Sequence, residues 1–161
     1  MRAAVLTVST AVSRRERADT SGTLLAHLAE EAGAEVVAME VVPDDYALIE
    51  DRLRHFVDEG LTFIFTTGGT GLTADDITPE ATRAVIARDA PGIAEAMRAE
   101  SLRHTPMGML SRGVAGIAQR TLIVNFPGSP KAVEQLFAVI GPVLRHAAVT
   151  LEHEGGPTPG H

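Results

Sequence analysis

Leu61-Thr62-Phe63-Ile64-Phe65-Thr66-Thr67-Gly68-Gly69-Thr70-Gly71 opens as an apolar, β-prone run and closes in glycines that strip the turn of side chains. It reads as a buried strand delivering a bare-backbone loop. Glycines accept positive φ and let a ligand approach the main chain, and successive N–H groups in such a turn form a concavity suited to phosphate. The loop has neither the Gly-Lys-Ser/Thr of a Walker A sequence nor the G-x-G-x-x-G spacing of a dinucleotide fold. The glycines alone are equally well explained as a tight turn between a strand and a helix. Asp75 and Asp76 follow within a few residues. Carboxylates beside an anion site imply a divalent metal between them.

Working outward, Ala3–Val8 and Thr121–Phe126 are short apolar runs suited to parallel strands, and Glu35–Val42 is a third, ended by Pro43. Helical spacing recurs from Ser21, read as an N-cap, to Gly33, and from Tyr46 to Gly60. Further helices are expected from Thr78-Pro79 to about Arg88, from Ile93 to Arg103, and from Lys131 onward with a kink at Gly141-Pro142. Ser13–Thr20 reads as a surface loop and Met107–Gly116 as a close-packed excursion. Asp44 and Asp45 are each explained as the cap of the helix that follows them.

Strands alternating with helices at these lengths give an α/β, three-layer α/β/α domain with a mostly parallel sheet. Ligands of such sheets bind outside the C-terminal strand ends. Those ends deliver Ser9-Thr10, Asp44, Thr67–Gly71 and Asn125-Phe126-Pro127-Gly128-Ser129, so the unusual loops converge on one edge.

Composition narrows the function classes. The 161 residues carry 14 Lys plus Arg against 21 Asp plus Glu, a formal charge of −7, which argues against coating nucleic acid. There is no cysteine, hence no disulfide, thiolate metal site or cysteine nucleophile. The six histidines form no H-x-H or H-E-x-x-H arrangement. No signal peptide or membrane-length run is expected, and the chain reads as cytoplasmic. Residues 1–154 are expected to form a single domain, with 155–161 a disordered Gly-Pro tail.

Thr66-Thr67-Gly68-Gly69-Thr70-Gly71 followed by Asp76-Ile77-Thr78-Pro79-Glu80 resembles the signature of the molybdopterin adenylyltransferase family, which includes MogA, MoaB and the gephyrin G domain. Val42-Pro43-Asp44, Ser111-Arg112-Gly113-Val114-Ala115-Gly116 and Asn125-Phe126-Pro127-Gly128-Ser129-Pro130 resemble its other motifs. The chain departs from the family at Thr10, where members commonly carry aspartate, at Asp75, where arginine is common, and at Thr20, where many have a basic residue. The resemblance implies transfer of AMP from ATP to molybdopterin, with Mg2+ as cofactor and a molybdopterin-binding, MogA/MoaB-like fold. It implies Asp44 and Asp76 as catalytic, metal-holding residues and Thr67, Gly68, Gly69, Thr70 and Gly71 as the phosphate cradle. Ser111, Asn125, Pro127, Gly128 and Ser129 would shape the pterin and nucleotide pockets, with Lys131 as an anion contact. A homotrimer or hexamer is implied, and a molybdate-insertion protein as downstream partner. Two rival readings use the same residues: a non-catalytic pterin-binding or scaffolding protein, and a nucleotide phosphohydrolase.

Overall fold

The structure, a computed structural model, describes residues 1–153; the tail 155–161 lies outside them. Six strands form one sheet: β1 (Arg2–Val8), β2 (Glu35–Val42), β3 (Phe63–Thr67), β4 (Arg88–Asp89), β5 (Ala115–Ala118) and β6 (Thr121–Phe126). Their order is β2-β1-β3-β6-β5-β4, parallel from β2 to β6, with β5 and β4 antiparallel. The mostly parallel, three-layer architecture expected from the alternation is the one observed. β1 lies between β2 and β3, so the chain switches direction between β1 and β3, where open sheets leave a crevice.

Side chains alternate across the sheet and specify its two coverings. Ala3, Val5, Phe63, Phe65, Leu122 and Val124 face α2 (Thr20–Glu31), α5 (Pro91–His104), α6 (Pro130–Ile140) and α7 (Leu144–Glu152). Ala4, Leu6, Val8, Ile64 and Ile123 face α3 (Tyr46–Asp58) and α4 (Thr78–Val85). Phe65, packed edge-on against Phe126 and Phe137, ties β3, β6 and α6 together. Each such fully buried side chain contributes about 1.5–3 kcal/mol.

Contrary to the sequence expectation, one helical stretch does reach membrane-spanning length: Pro130–Glu152, 23 residues with mean hydropathy 1.2. Its apolar face is committed to the core through Val133, Leu136, Phe137, Ile140, Leu144 and Ala148, and a 3-10 turn at Gly141–Val143 breaks it where the glycine and proline stand.

The antiparallel end corrects the sequence reading. The helix expected to reach Arg88 stops at Val85, because Ile86 turns extended and Ala87 and Ala90 donate to the carbonyls of Ile117 and Ala115. The excursion Met107–Gly116 contains a 3-10 turn (Pro106–Leu110) and the first half of β5. Gly116 permits this pairing, since a Cβ there would stand 2.6 Å from Ile86 Cδ1 and 2.8 Å from the Arg88 carbonyl.

Candidate functional site

A cavity of about 700 Å³ opens at the switch point, above the ends of β1, β3 and β6. Its lining includes Asp44, Asp76, Thr67 to Gly71, Pro127, Gly128 and Ser129. The structure thus brings together ten of the expected residues from three separate strand-end loops.

The floor is the glycine loop. Gly68 and Gly69 take φ of +97° and +68°. The Gly68 amide extends the β3–β6 ladder by donating to Phe126 O, and the Thr78 hydroxyl and amide donate to the carbonyls of Gly68 and Gly69. The amides of Gly69, Thr70 and Gly71 have no acceptor among the described residues. The loop amides left without a partner are therefore those of residues 69–71, while that of Gly68 is tied into the sheet. Thr67 is fully buried and donates to Pro127 O, which couples two walls of the cavity. Thr78 is the first residue of α4 and holds the loop from below; Ile77 is the N-cap and makes no side-chain bond.

The two acidic residues after β2 divide their work. Asp45 caps α3, its Oδ1 accepting from the Leu48 amide. This leaves Asp44 to face the cavity, where its Oδ2 accepts from the amide and hydroxyl of Thr10. Thr10 opens a one-turn helix, α1 (Thr10–Ser13), capped by Ser9. Asp76 is held alike, Oδ2 accepting from the amide and hydroxyl of Thr73. Asp75 is exposed and outside the cavity.

Three expected residues fall elsewhere. Asn125 is buried, donates both amide hydrogens to Thr66 and Thr82, and accepts from the Val114 amide, so it has no donor left for a ligand. It lines a neighbouring 20 Å³ cleft with Ser111. Lys131 is exposed on the first turn of α6 and lines neither space. Instead the cation at the cavity is Arg17, whose guanidinium lies 3.5 Å from Ser9 Oγ. Thr20 and Ser21 complete that rim. Ser21 is free for it because Asp19 caps α2, binding the Gly22 amide with one oxygen and the Thr7 hydroxyl with the other. The charged, aperiodic loop 13–20 was the only sequence signal for Arg17.

Arg112 is the second residue whose part in the site the sequence left unassigned. Its amide donates to Thr70 O, and its guanidinium to the carbonyls of Gly71 and Asp76 and to the Glu80 carboxylate. One side chain thereby staples both ends of the segment 70–80. The Arg112 guanidinium hydrogen-bonded to Glu80 holds its carboxyl below the usual carboxylate range, against a smaller opposing effect of burial. A folded pKa below the unfolded one gives stability that is present above about pH 4.3 and lost as pH falls through the folded value. The pair is half-exposed, so its worth is at most about 1 kcal/mol. Glu80→Gln is expected to lower Tm by about 2–4 °C at pH 7, and the difference should vanish below the carboxylate range; thermal melts of both proteins from pH 7 to 3 check this.

Residues 4–146 match the family described as "Probable molybdopterin binding domain". The molybdopterin biosynthesis enzyme MoaB of Thermus thermophilus superposes with a TM-score of 0.88 at 48% identity, covering 93% of this chain and 95% of that one. A MogA structure superposes with a TM-score of 0.90 at 38% identity, covering 94% and 99%. The molybdopterin adenylyltransferase of Haemophilus influenzae is 46% identical over 96 residues, 59% of this chain and 49% of that protein. The Drosophila melanogaster molybdenum cofactor synthesis protein cinnamon is 43% identical over 145 residues, 89% of this chain. The matches thus span half of the bacterial relative's length and 24% of cinnamon's. With fold, glycine loop and matched length in agreement, the chain belongs to the molybdopterin-binding domain family.

Proposed function

We propose that the chain acts in molybdenum cofactor biosynthesis, transferring AMP from ATP to the terminal phosphate of molybdopterin. The observation that carries this reading is that three unpartnered amides and two carboxylates open on one cavity. A terminal phosphate oxygen of the pterin attacks the α-phosphorus of ATP. The bond to the oxygen bridging α and β breaks, and pyrophosphate leaves with that oxygen and its electron pair.

Both reactants are anionic and the chain is itself negative, so positioning and charge compensation dominate the barrier. The amides of residues 69–71 bind phosphate, and Arg17 adds the local cation. Asp44 and Asp76 orient the reacting groups and would hold Mg2+. The donor set fits that ion. No group of three or more potential ligands exists among the described residues, and Mg2+ is held by one or two carboxylates with substrate phosphates instead of an all-protein cage. When bound, it spreads the charge of the triphosphate. Pro127, Gly128 and Ser129 form the opposite wall. A pyrophosphate assay tests the reaction: release that needs ATP, Mg2+ and molybdopterin together is expected. Orthophosphate from ATP without pterin would make the chain a phosphohydrolase, and pterin binding without release a scaffold.

The same reading places the protein in the cytoplasm, upstream of a molybdate-insertion protein, and as a trimer or a pair of trimers. Met107, Met109 and Leu110 stand 65%, 63% and 43% exposed on the single chain, an apolar edge that a neighbouring copy would cover. Light scattering at micromolar concentration should give a trimer or hexamer; a monomer alone would contradict this.

A further inference from the structure

Asp44 and Asp76 stand on different elements, yet one device holds them both. Asp44 Oδ2 accepts from Thr10 N at 3.1 Å and Thr10 Oγ1 at 2.9 Å. Asp76 Oδ2 accepts from Thr73 N at 3.0 Å and Thr73 Oγ1 at 2.8 Å. Neither Oδ1 takes a hydrogen bond from any described residue. A carboxylate has about four lone-pair sites, two on each oxygen. Each Oδ2 is therefore filled, and each of these cavity-lining aspartates keeps one oxygen without a partner among the described residues. The Thr10 clamp is reinforced in return, since the Asp44 amide donates to Thr10 Oγ1 at 3.1 Å.

Resting on the function proposed above, we infer that Thr10 and Thr73 are positioning residues that set the metal preference of the site. A one-oxygen carboxylate suits a small ion that demands octahedral geometry and keeps several waters, as Mg2+ does. Ca2+ takes six to eight oxygens and readily uses both oxygens of a carboxylate. To do so here it must break two hydrogen bonds at each aspartate. The threonines thus favour Mg2+ or Mn2+ over Ca2+ without touching the ion.

The test reads metal binding, not turnover. The full chain is titrated with Mn2+ in the presence of α,β-methylene-ATP, with free Mn2+ followed by electron paramagnetic resonance, and Mg2+ or Ca2+ then displaces it. Groups that hold metal ligands in place are worth about 10–100-fold in affinity. The Thr10→Val/Thr73→Val protein should lose about tenfold or more of the wild-type preference for Mg2+ over Ca2+, while Thr10→Ser/Thr73→Ser keeps it. The single valine variants carry the test should the double variant unfold. An unchanged ratio in the valine proteins, equal loss in the serine proteins, or a wild type indifferent between the two ions would overturn the inference. The outcomes separate it from the function proposed: a shifted ratio in a protein that forms no adenylylated pterin leaves the clamp standing and removes the reaction. An unshifted ratio in an active protein does the reverse.

Discussion

Asp76→Asn is expected to lower turnover at least about a hundredfold, because metal-assisted charge stabilisation is worth several kcal/mol and each ~1.4 kcal/mol is a factor of ten. Asparagine keeps the size, and its single amide oxygen can still accept from Thr73, but it removes the negative charge that would hold Mg2+ against the triphosphate. Pterin affinity should change much less, since the loss falls on the transition state. Asp75 provides the contrast. It is exposed and outside the cavity, so Asp75→Arg should leave turnover intact, and the added cation near an anion site should leave substrate affinity unchanged or tighter. Steady-state kinetics with separate pterin-binding measurements check both. Similar collapse in the two variants, or a fully active Asp76→Asn, would refute the division of roles.

Gly68→Ala is expected to be the most damaging single methyl group in the site. A Cβ at this position would stand 2.3 Å from the Val8 carbonyl oxygen, which is backbone and cannot swing aside, and the residue holds φ at +97°. Strain of about 1–3 kcal/mol and overpacking of about 1–3 kcal/mol together lower Tm by roughly 5–15 °C. Two other glycines separate these causes. Gly60 has φ +72° with nothing within 4 Å, so alanine there costs strain alone; Gly92 has open space and no positive φ, so alanine there is neutral or stabilising. Thermal unfolding of the three variants should rank them Gly68 worst, then Gly60, then Gly92. Equal melting temperatures would show that the loop tolerates rearrangement.

The layered fold was legible because β1, β3 and β6 are continuous apolar runs, and a strand buried on both faces needs nothing else. The edge strands were not. β4 is two charged residues, and Ala-Gly-Ile-Ala in β5 has no β-prone pattern; its pairing depends on Gly116 making room for Ile86, a contact between segments about thirty residues apart. Asp44 and Asp76 could be named from the residues around them, but which aspartate capped α3 was a matter of backbone geometry and fell to Asp45. Asn125 looked like a ligand residue because it ends a strand beside the glycine loop. Its side chain turns inward instead, where Thr66 and Thr82 use both its donors. Arg17 and Arg112 reach the site across distances that only the folded chain defines, so no local spacing announced them.

The most direct measurement is mass detection of adenylylated molybdopterin after the full chain is incubated with molybdopterin, ATP and Mg2+. Pterin heavier by one AMP unit is expected, formed in step with pyrophosphate and greatly reduced in Asp76→Asn. Unmodified pterin recovered from a protein that binds both substrates would contradict it.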